Sequence, residues 1–149
     1  MSASNDFESD LLKLVFQNIA IANIGDAAGL QPSAVTGSLF VALHTADPGE
    51  AGNQSTSEAT YTGYARVGVV RSVAGWTLSG TAPTQVANAA VVTFGTCTVG
   101  ANTLTHFSIG YQTSGATKII VSGVLNASLA VSVGIAPNYP VGQLAATCD

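Results

Sequence analysis

The sequence predicts a mainly β protein: a single β-sandwich of about eight strands, jelly-roll-like, with a short N-terminal α-helix. Short segments rich in Val, Ile and Thr recur about every 8–12 residues, and Gly, Pro, Asn and Asp separate them. Helical periodicity is clear in the first segment. With 149 residues, the chain has the length of one domain, so residues 1–149 are expected to form one sandwich.

The N-terminal segment is predicted to be a helix over about residues 6–18. Its apolar face follows the i, i+4, i+7, i+8 spacing and consists of Phe7, Leu11, Leu14 and Val15. Leu12 and Phe16 widen this face, and Asn5 with Glu8 resembles a capping pair. A helix this short is marginal alone and must dock its apolar face. We expect it to dock on its own sheet, with a neighbouring subunit as the alternative.

Residues 19–37 are predicted to form a loop because glycines and a proline interrupt them. From Ser38 the apolar period changes to two, as in a strand with both faces largely apolar. A turn at residues 47–50 and a polar loop to about residue 59 follow. The predicted strands cover about residues 38–44, 61–70, 76–79, 89–94, 103–109, 117–125 and 129–133, with a weak last strand near 142–147.

Charge is scarce in this chain, and its scarcity bears on function. Charged residues make up 8% of the sequence, against about 25% in an ordinary soluble domain. The net charge is −4, and the basic residues are Lys13, Arg66, Arg71 and Lys118. We therefore expect no nucleic-acid partner and no anionic membrane partner. A surface poor in charge suits a protein that neighbours cover; a secreted domain kept soluble by Ser and Thr is the alternative.

The sequence also bears on cellular location. It has no run of 18 apolar residues, as a membrane-spanning helix would need. Residues 1–10 are acidic, whereas a signal peptide begins with positive charge. We therefore expect a protein that is cytosolic at synthesis, with free thiols at Cys97 and Cys148; a single bridge between them is the alternative if the fold brings them together.

Residue patterns that support catalysis or metal binding are weak. His44 and His106 each lie in a strand pattern and are expected to be hydrogen-bonded structural histidines. A Ser-His-Asp triad would need a positioned serine, and the G-x-S-x-G motif does not occur. The cysteines and histidines lack the paired spacing of zinc sites. We predict no catalytic residues, no cofactor and no metal, and hence no enzyme.

Two weaker patterns leave alternatives open. Oxygen-bearing side chains in the polar loop could bind calcium, although a solvated acidic loop is favoured; they are Asp47, Glu50, Asn53 and Glu58. Aromatic side chains could form a sugar-binding platform, although packing in the core or at an interface is favoured; they are Tyr61, Tyr64, Trp76, Tyr111 and Tyr139.

Four motifs in order carry a resemblance to a known family. They are LFVALHTADPGE at residues 39–50, EATYTGYARV at 58–67, RSVAGW at 71–76 and THFSIG at 105–110. Together they resemble a family of small tailed-phage virion proteins. Its members are often labelled tail fibre protein, and related small β proteins are capsid decoration, or cement, proteins.

The resemblance implies a structural role in the virion. The expected function is a capsid decoration protein on the outer capsid surface, forming a homotrimer and bound to the major capsid protein. The first alternative is a structural or receptor-contacting protein at the tail tip or fibre. The second is a carbohydrate-binding β-sandwich with Trp76 exposed. The candidate interface residues are Phe7, Leu11, Leu14, Val15, Tyr61, Tyr64 and Trp76.

Overall fold

The computed structural model describes residues 3–80 and 84–148. In these residues the protein is mainly β, with several antiparallel strand pairs and a short N-terminal helix, as the sequence predicted. The helix is α1 (Asn5–Leu12), which continues as a π-helical turn over Lys13–Gln17. The strands are β1 (Ser38–His44), β2 (Val67–Val70), β3 (Trp76–Ser79), β4 (Thr84–Asn88), β5 (Val92–Thr93), β6 (Asn102–Gly110), β7 (Ile119–Val131), β8 (Asn138–Tyr139) and β9 (Ala145–Cys148).

The strands form three sheets in the described residues, with orders β2-β1-β6-β7, β3-β4-β9 and β5-β8. The chain divides into two compact units. The first unit comprises the described residues of 1–38, 69–91 and 139–149, and the second comprises 39–68 and 92–138. The single-domain and jelly-roll expectations stay predictions.

The first unit contains α1 and the sheet β3-β4-β9. Strand β4 is central and pairs antiparallel with both neighbours. Helix α1 packs against β4 and β9, and the π-helical turn packs against β3. Phe16 and Trp76 are fully buried there, with their rings edge to face at 4.9 Å between centroids. The helix thus docks on a sheet of its own chain.

The buried face of the helical segment differs from the predicted face. Phe7 is 42% exposed, whereas Glu8, Leu12 and Phe16 are buried. These three residues follow i, i+4, i+8 and so form one stripe. The capping prediction is also wrong by one residue, because the Oγ of Ser4 accepts the N–H of Phe7 at 3.3 Å.

The end of the helical segment agrees with the prediction. Asn18 adopts a left-handed conformation (φ 58°), which ends the π-helical turn. Arg71 fixes this end, since its guanidinium donates to the carbonyls of Leu14 at 2.8 Å and Val15 at 2.7 Å. It also donates to the Oγ of Ser33 at 3.0 Å.

The second unit contains most of the four-stranded sheet. Strands β1 and β6 pair antiparallel, with Val41 opposite Ile109 and Leu43 opposite Phe107. Val41, Leu43 and Ile109 have almost no exposed surface. Residues 41–44 are all buried, as expected for a strand with two apolar faces.

Several strand boundaries differ from the predictions. Residues 61–66 are not a strand, because the chain turns at Gly63 (φ 102°) and the N–H of Tyr64 bonds the carbonyl of Tyr61. One strand was predicted over residues 89–94. The structure instead has β4 just before this segment and the short β5 within it. The two strands predicted over 117–125 and 129–133 form one strand, β7, with an irregular register opposite Thr105. Among the described residues, no helix is long and apolar enough to cross a bilayer.

Candidate functional site

A buried polar cluster lies in the second unit around Arg66. We call it the Arg66 cluster; it consists of Gln54, Glu58, Tyr64, Arg66 and Thr117. The Arg66 side chain is 2% exposed, and its Nε lies 2.7 Å from Glu58 Oε1. Its Nη2 donates to Glu58 Oε2 at 2.8 Å, so the pair is bidentate. The arrangement neutralises a buried charge that would be costly alone.

Arg66 also joins two loops. Its Nη2 donates to the Gly115 carbonyl at 2.8 Å, and its Nη1 donates to the Gln112 carbonyl at 3.2 Å. Both acceptors belong to the loop between β6 and β7, whereas Glu58 belongs to the loop after β1. The backbone of these loops is therefore fixed by one guanidinium.

Gln54 extends the cluster into the interior. It is completely buried, and its Nε2 donates to the Phe40 carbonyl at 2.8 Å. Its Oε1 accepts from the Thr117 hydroxyl at 2.9 Å and from Arg66 Nη1 at 3.3 Å. A side chain at Gly110 would collide with Gln54, so glycine is required there by close packing.

The aromatic rings beside the cluster are anchored inside the unit. The Tyr64 hydroxyl donates to Glu58 Oε1 at 2.9 Å and accepts the N–H of Leu43 at 3.0 Å. Burial raises the pKa of Tyr64, so this phenol stays protonated. Its ring stacks on Phe94, and that of Tyr61 meets it edge to face.

His44 and Ser108 form a buried pair. Each is completely buried, and the Ser108 hydroxyl donates to His44 Nε2 at 2.8 Å. His44 Nδ1 lies 2.8 Å from the Thr56 carbonyl, which can only accept, so Nδ1 carries the proton. Burial lowers the pKa of His44, despite the opposing effect of the Thr56 hydrogen bond, and the ring is neutral.

The Ser–His distance resembles that of a nucleophile and its base. A substrate must reach the serine, however, and neither side chain has exposed surface. The arrangement therefore suits a hydrogen-bonded core, which is how the sequence analysis interpreted His44.

The predicted interface residues differ widely in their solvent exposure. Phe7 is exposed, while Leu11, Leu14, Val15 and Tyr64 are half-buried. Tyr61 is 3% exposed and Trp76 is completely buried, so neither presents its ring to a partner in this fold. The carbohydrate-binding alternative depended on an exposed Trp76 and loses that support.

The acidic loop residues are engaged locally. Asp47 Oδ1 accepts the N–H of Gly49 at 2.9 Å, and Asn53 Oδ1 accepts the N–H of Ser55 at 2.9 Å. Glu58 is paired with Arg66. Residues 3–80 and 84–148 contain no group of three or more His, Cys, Asp or Glu side chains that could hold a metal ion. Cys97 is buried, Cys148 is partly exposed, and both are free thiols.

Two open clefts lie in the second unit. One, of about 280 Å³, runs beside Glu58, Tyr64 and Arg66 and along the loop at residues 113–115. The other, of about 420 Å³, lies between the loop at residues 49–52 and the start of β7. The Arg66 cluster stabilises the loops beside the first of these clefts, since its partners include Glu58 and the Gly115 carbonyl.

The fold and the Arg66 cluster together define a mainly β protein whose buried polar groups hold surface loops in place. Residues 2–147 match the model of a family described as "Podophage GP4 fiber I protein gp80". The match covers nearly the whole chain, and the protein therefore belongs to this phage structural protein family. The resemblance to tailed-phage structural proteins is confirmed at this level. No curated protein matches the chain.

Proposed function

We propose that the chain is a non-enzymatic structural subunit of a tailed-phage virion, which packs against copies of itself and other coat proteins. The observation that carries this proposal is the apolar surface. In the described residues, large hydrophobic side chains are strongly exposed, including Val35 (79%), Val124 (68%), Val73 (66%) and Val133 (66%). Covering such a surface with neighbouring subunits is favourable because apolar area leaves water.

The low charge supports the same proposal. The chain has twelve charged side chains, four basic and eight acidic, of which Glu8 and Arg66 are buried, and its accessible surface is 7760 Å². Few charges therefore need to be desolvated when subunits pack side by side, and the burial of an unpaired charge is costly. Contacts between uncharged surfaces also depend little on ionic strength.

The first placement is the outer capsid surface. There the chain acts as a decoration protein, forms homotrimers and binds the major capsid protein. Many contacts of this kind bridge neighbouring capsomers and resist the pressure of the packaged DNA. The loops fixed by Arg66 supply rigid surface for these contacts, because ordering them at binding costs little further entropy.

The second placement is the tail, in a fibre or close to one. The words of the family description support it. In this position the same apolar surface packs against other fibre or tail subunits rather than against the capsid shell.

The test is the location and copy number of the chain in purified virions. Quantitative mass spectrometry against the major capsid protein gives the copy number, and cryo-electron microscopy gives the position. Many copies spread over the shell support capsid decoration, and a few copies confined to the tail support the fibre placement. A chain that is missing from purified virions would overturn the proposed structural role.

A further inference from the structure

Strand β7 has an edge that does not pair with any other strand of the described residues. It is 13 residues long, which corresponds to roughly 43 Å, and it is the terminal strand of the sheet β2-β1-β6-β7. Its hydrogen-bonded neighbour in that sheet is β6. One row of its main-chain N–H and C=O groups therefore faces away from the sheet and is available to another strand.

This strand lacks the charged side chains and prolines that often prevent edge pairing. Natural edge strands are protected by charged side chains, especially Lys, and by Pro. Residues 119–131 contain neither a charged residue nor a proline. Ser122 and Val124 are exposed, so the strand itself presents uncharged and partly apolar side chains.

A groove follows the edge of β7. The cleft of about 420 Å³ is lined by the consecutive residues Lys118 to Ser122. Successive side chains of a strand point to opposite faces of the sheet, so a cleft that touches all five runs along the strand edge. Its other wall is the loop at Gly49, Glu50 and Gly52, where the missing side chain of Gly49 leaves room.

We propose that residues 119–124 pair antiparallel with the same segment of a second copy, so that two sheets become continuous across a twofold axis. This deepens and rests on the proposed function, since it names a surface through which copies meet. The register of β7 against β6 shifts at Ile120 and again after Val124, so the regularly paired part of this segment is Val121–Val124.

A second copy fits this edge for reasons of charge and length. An uncharged segment can oppose itself without like-charge repulsion, and identical antiparallel strands form a closed twofold contact. The opposite edge of the sheet, β2, has four residues, so β7 itself is the better match in length. A separate threefold contact through another surface is compatible with this pairing and would give six copies.

The experiment is the mass of the full chain by light scattering or analytical ultracentrifugation. We expect an even number of copies, and we expect Val124→Lys to halve the mass because a lysine on an edge strand opposes pairing with another strand. Val35→Lys makes the same change at another exposed valine and should keep the wild-type mass. A wild-type monomer, or a mass that Val124→Lys leaves unchanged or that both variants halve, overturns the inference.

A second measurement uses the wild-type chain alone, in case the variant does not fold. Amide exchange followed by NMR should show alternate amides of residues 119–124 becoming about tenfold more protected as protein concentration rises. Exchange independent of concentration would count against pairing. The proposed function and the pairing are tested independently. A chain that is missing from virions can still pair through β7, and a chain that is present in virions need not pair.

Discussion

Two surface loops depend on the buried charge of Arg66. Its guanidinium forms two hydrogen bonds to Glu58 and others to carbonyls of the loop between β6 and β7. A buried pair contributes through the cost of leaving one partner alone, rather than through the attraction itself. Breaking the pair of Arg66 and Glu58 should therefore lower the free energy of unfolding much more than breaking an exposed pair in the same chain.

Glu58→Gln tests this effect. The substitution removes the negative charge but keeps the size and one oxygen acceptor, so the Arg66 charge remains buried without compensation. We expect the free energy of unfolding to fall by about 3 kcal/mol in urea denaturation.

The matched control is Asp10→Asn, which removes the exposed pair between Lys13 and Asp10. These side chains are 35% and 41% exposed, and their N–O distance is 3.1 Å. We expect a change within about 0.5 kcal/mol. An equal decrease in the free energy of unfolding in the two variants would show that the buried pair stabilises the protein no more than the exposed pair does.

At the scale of the element, the N-terminal helical segment has a clear inner and outer side. One phenylalanine lies on each side. Phe16 packs against Trp76 and is 1% exposed, whereas Phe7 is 42% exposed. The Gln17 Nε2 donates to the Trp76 carbonyl at 2.8 Å and holds the same contact. Packing rather than intrinsic propensity stabilises a segment of this length.

Phe16→Ala should destabilise the protein by about 3–5 kcal/mol, because it removes a buried ring and leaves a cavity. Phe7→Ala makes the same chemical change on the exposed side and should cost less than about 1 kcal/mol. Urea denaturation of both variants measures the difference. A Phe7→Ala loss as large as that of Phe16→Ala would contradict the observed helix orientation.

At the scale of the whole molecule, the distribution of apolar surface is the dominant property. Strongly exposed hydrophobic side chains occur in both units, for example Val73 and Val141 in the first and Val99 and Val133 in the second. Single exposed hydrophobic residues are normal. Their number here, combined with 8% charged residues, is what favours a covered surface.

Hydroxyl-radical footprinting tests whether neighbours cover this surface. We expect a subset of the exposed residues, such as Tyr111, Val73, Val99 and Val133, to react several-fold less in intact virions than in the free chain. Trp76 is an internal control, since it is completely buried and should be protected in both states. Equal reactivity of all exposed residues in both states would contradict assembly through the apolar surface.

Patterns that depend on neighbouring residues were predictable. The alternation from Ser38 to His44 and the segment Trp76–Ser79 gave strands with the observed bounds, and the helical segment ends at Asn18 as expected. Propensity and periodicity act over a few residues, so the sequence carries them directly. The four motifs likewise indicated a phage structural protein, in agreement with the family match.

The candidate site was only partly predictable. The sequence placed Arg66 on a strand face and did not connect it to Glu58, although two opposite charges eight residues apart are conspicuous in a chain with four basic residues. The two carbonyls that Arg66 binds in the next loop, of Gln112 and Gly115, are more than 45 residues away. The pair of His44 and Ser108 is likewise separated by 64 residues.

The sequence by itself determined the mainly β class, the N-terminal helix, the low charge and the structural family of this protein. The tertiary structure alone decided that Trp76 and Tyr61 are buried and that β7 forms the edge of a sheet. The reason is physical: burial and strand order are set by contacts between distant segments, and local periodicity shows only that a strand has an apolar face. It does not specify which neighbour, within the chain or outside it, covers that face.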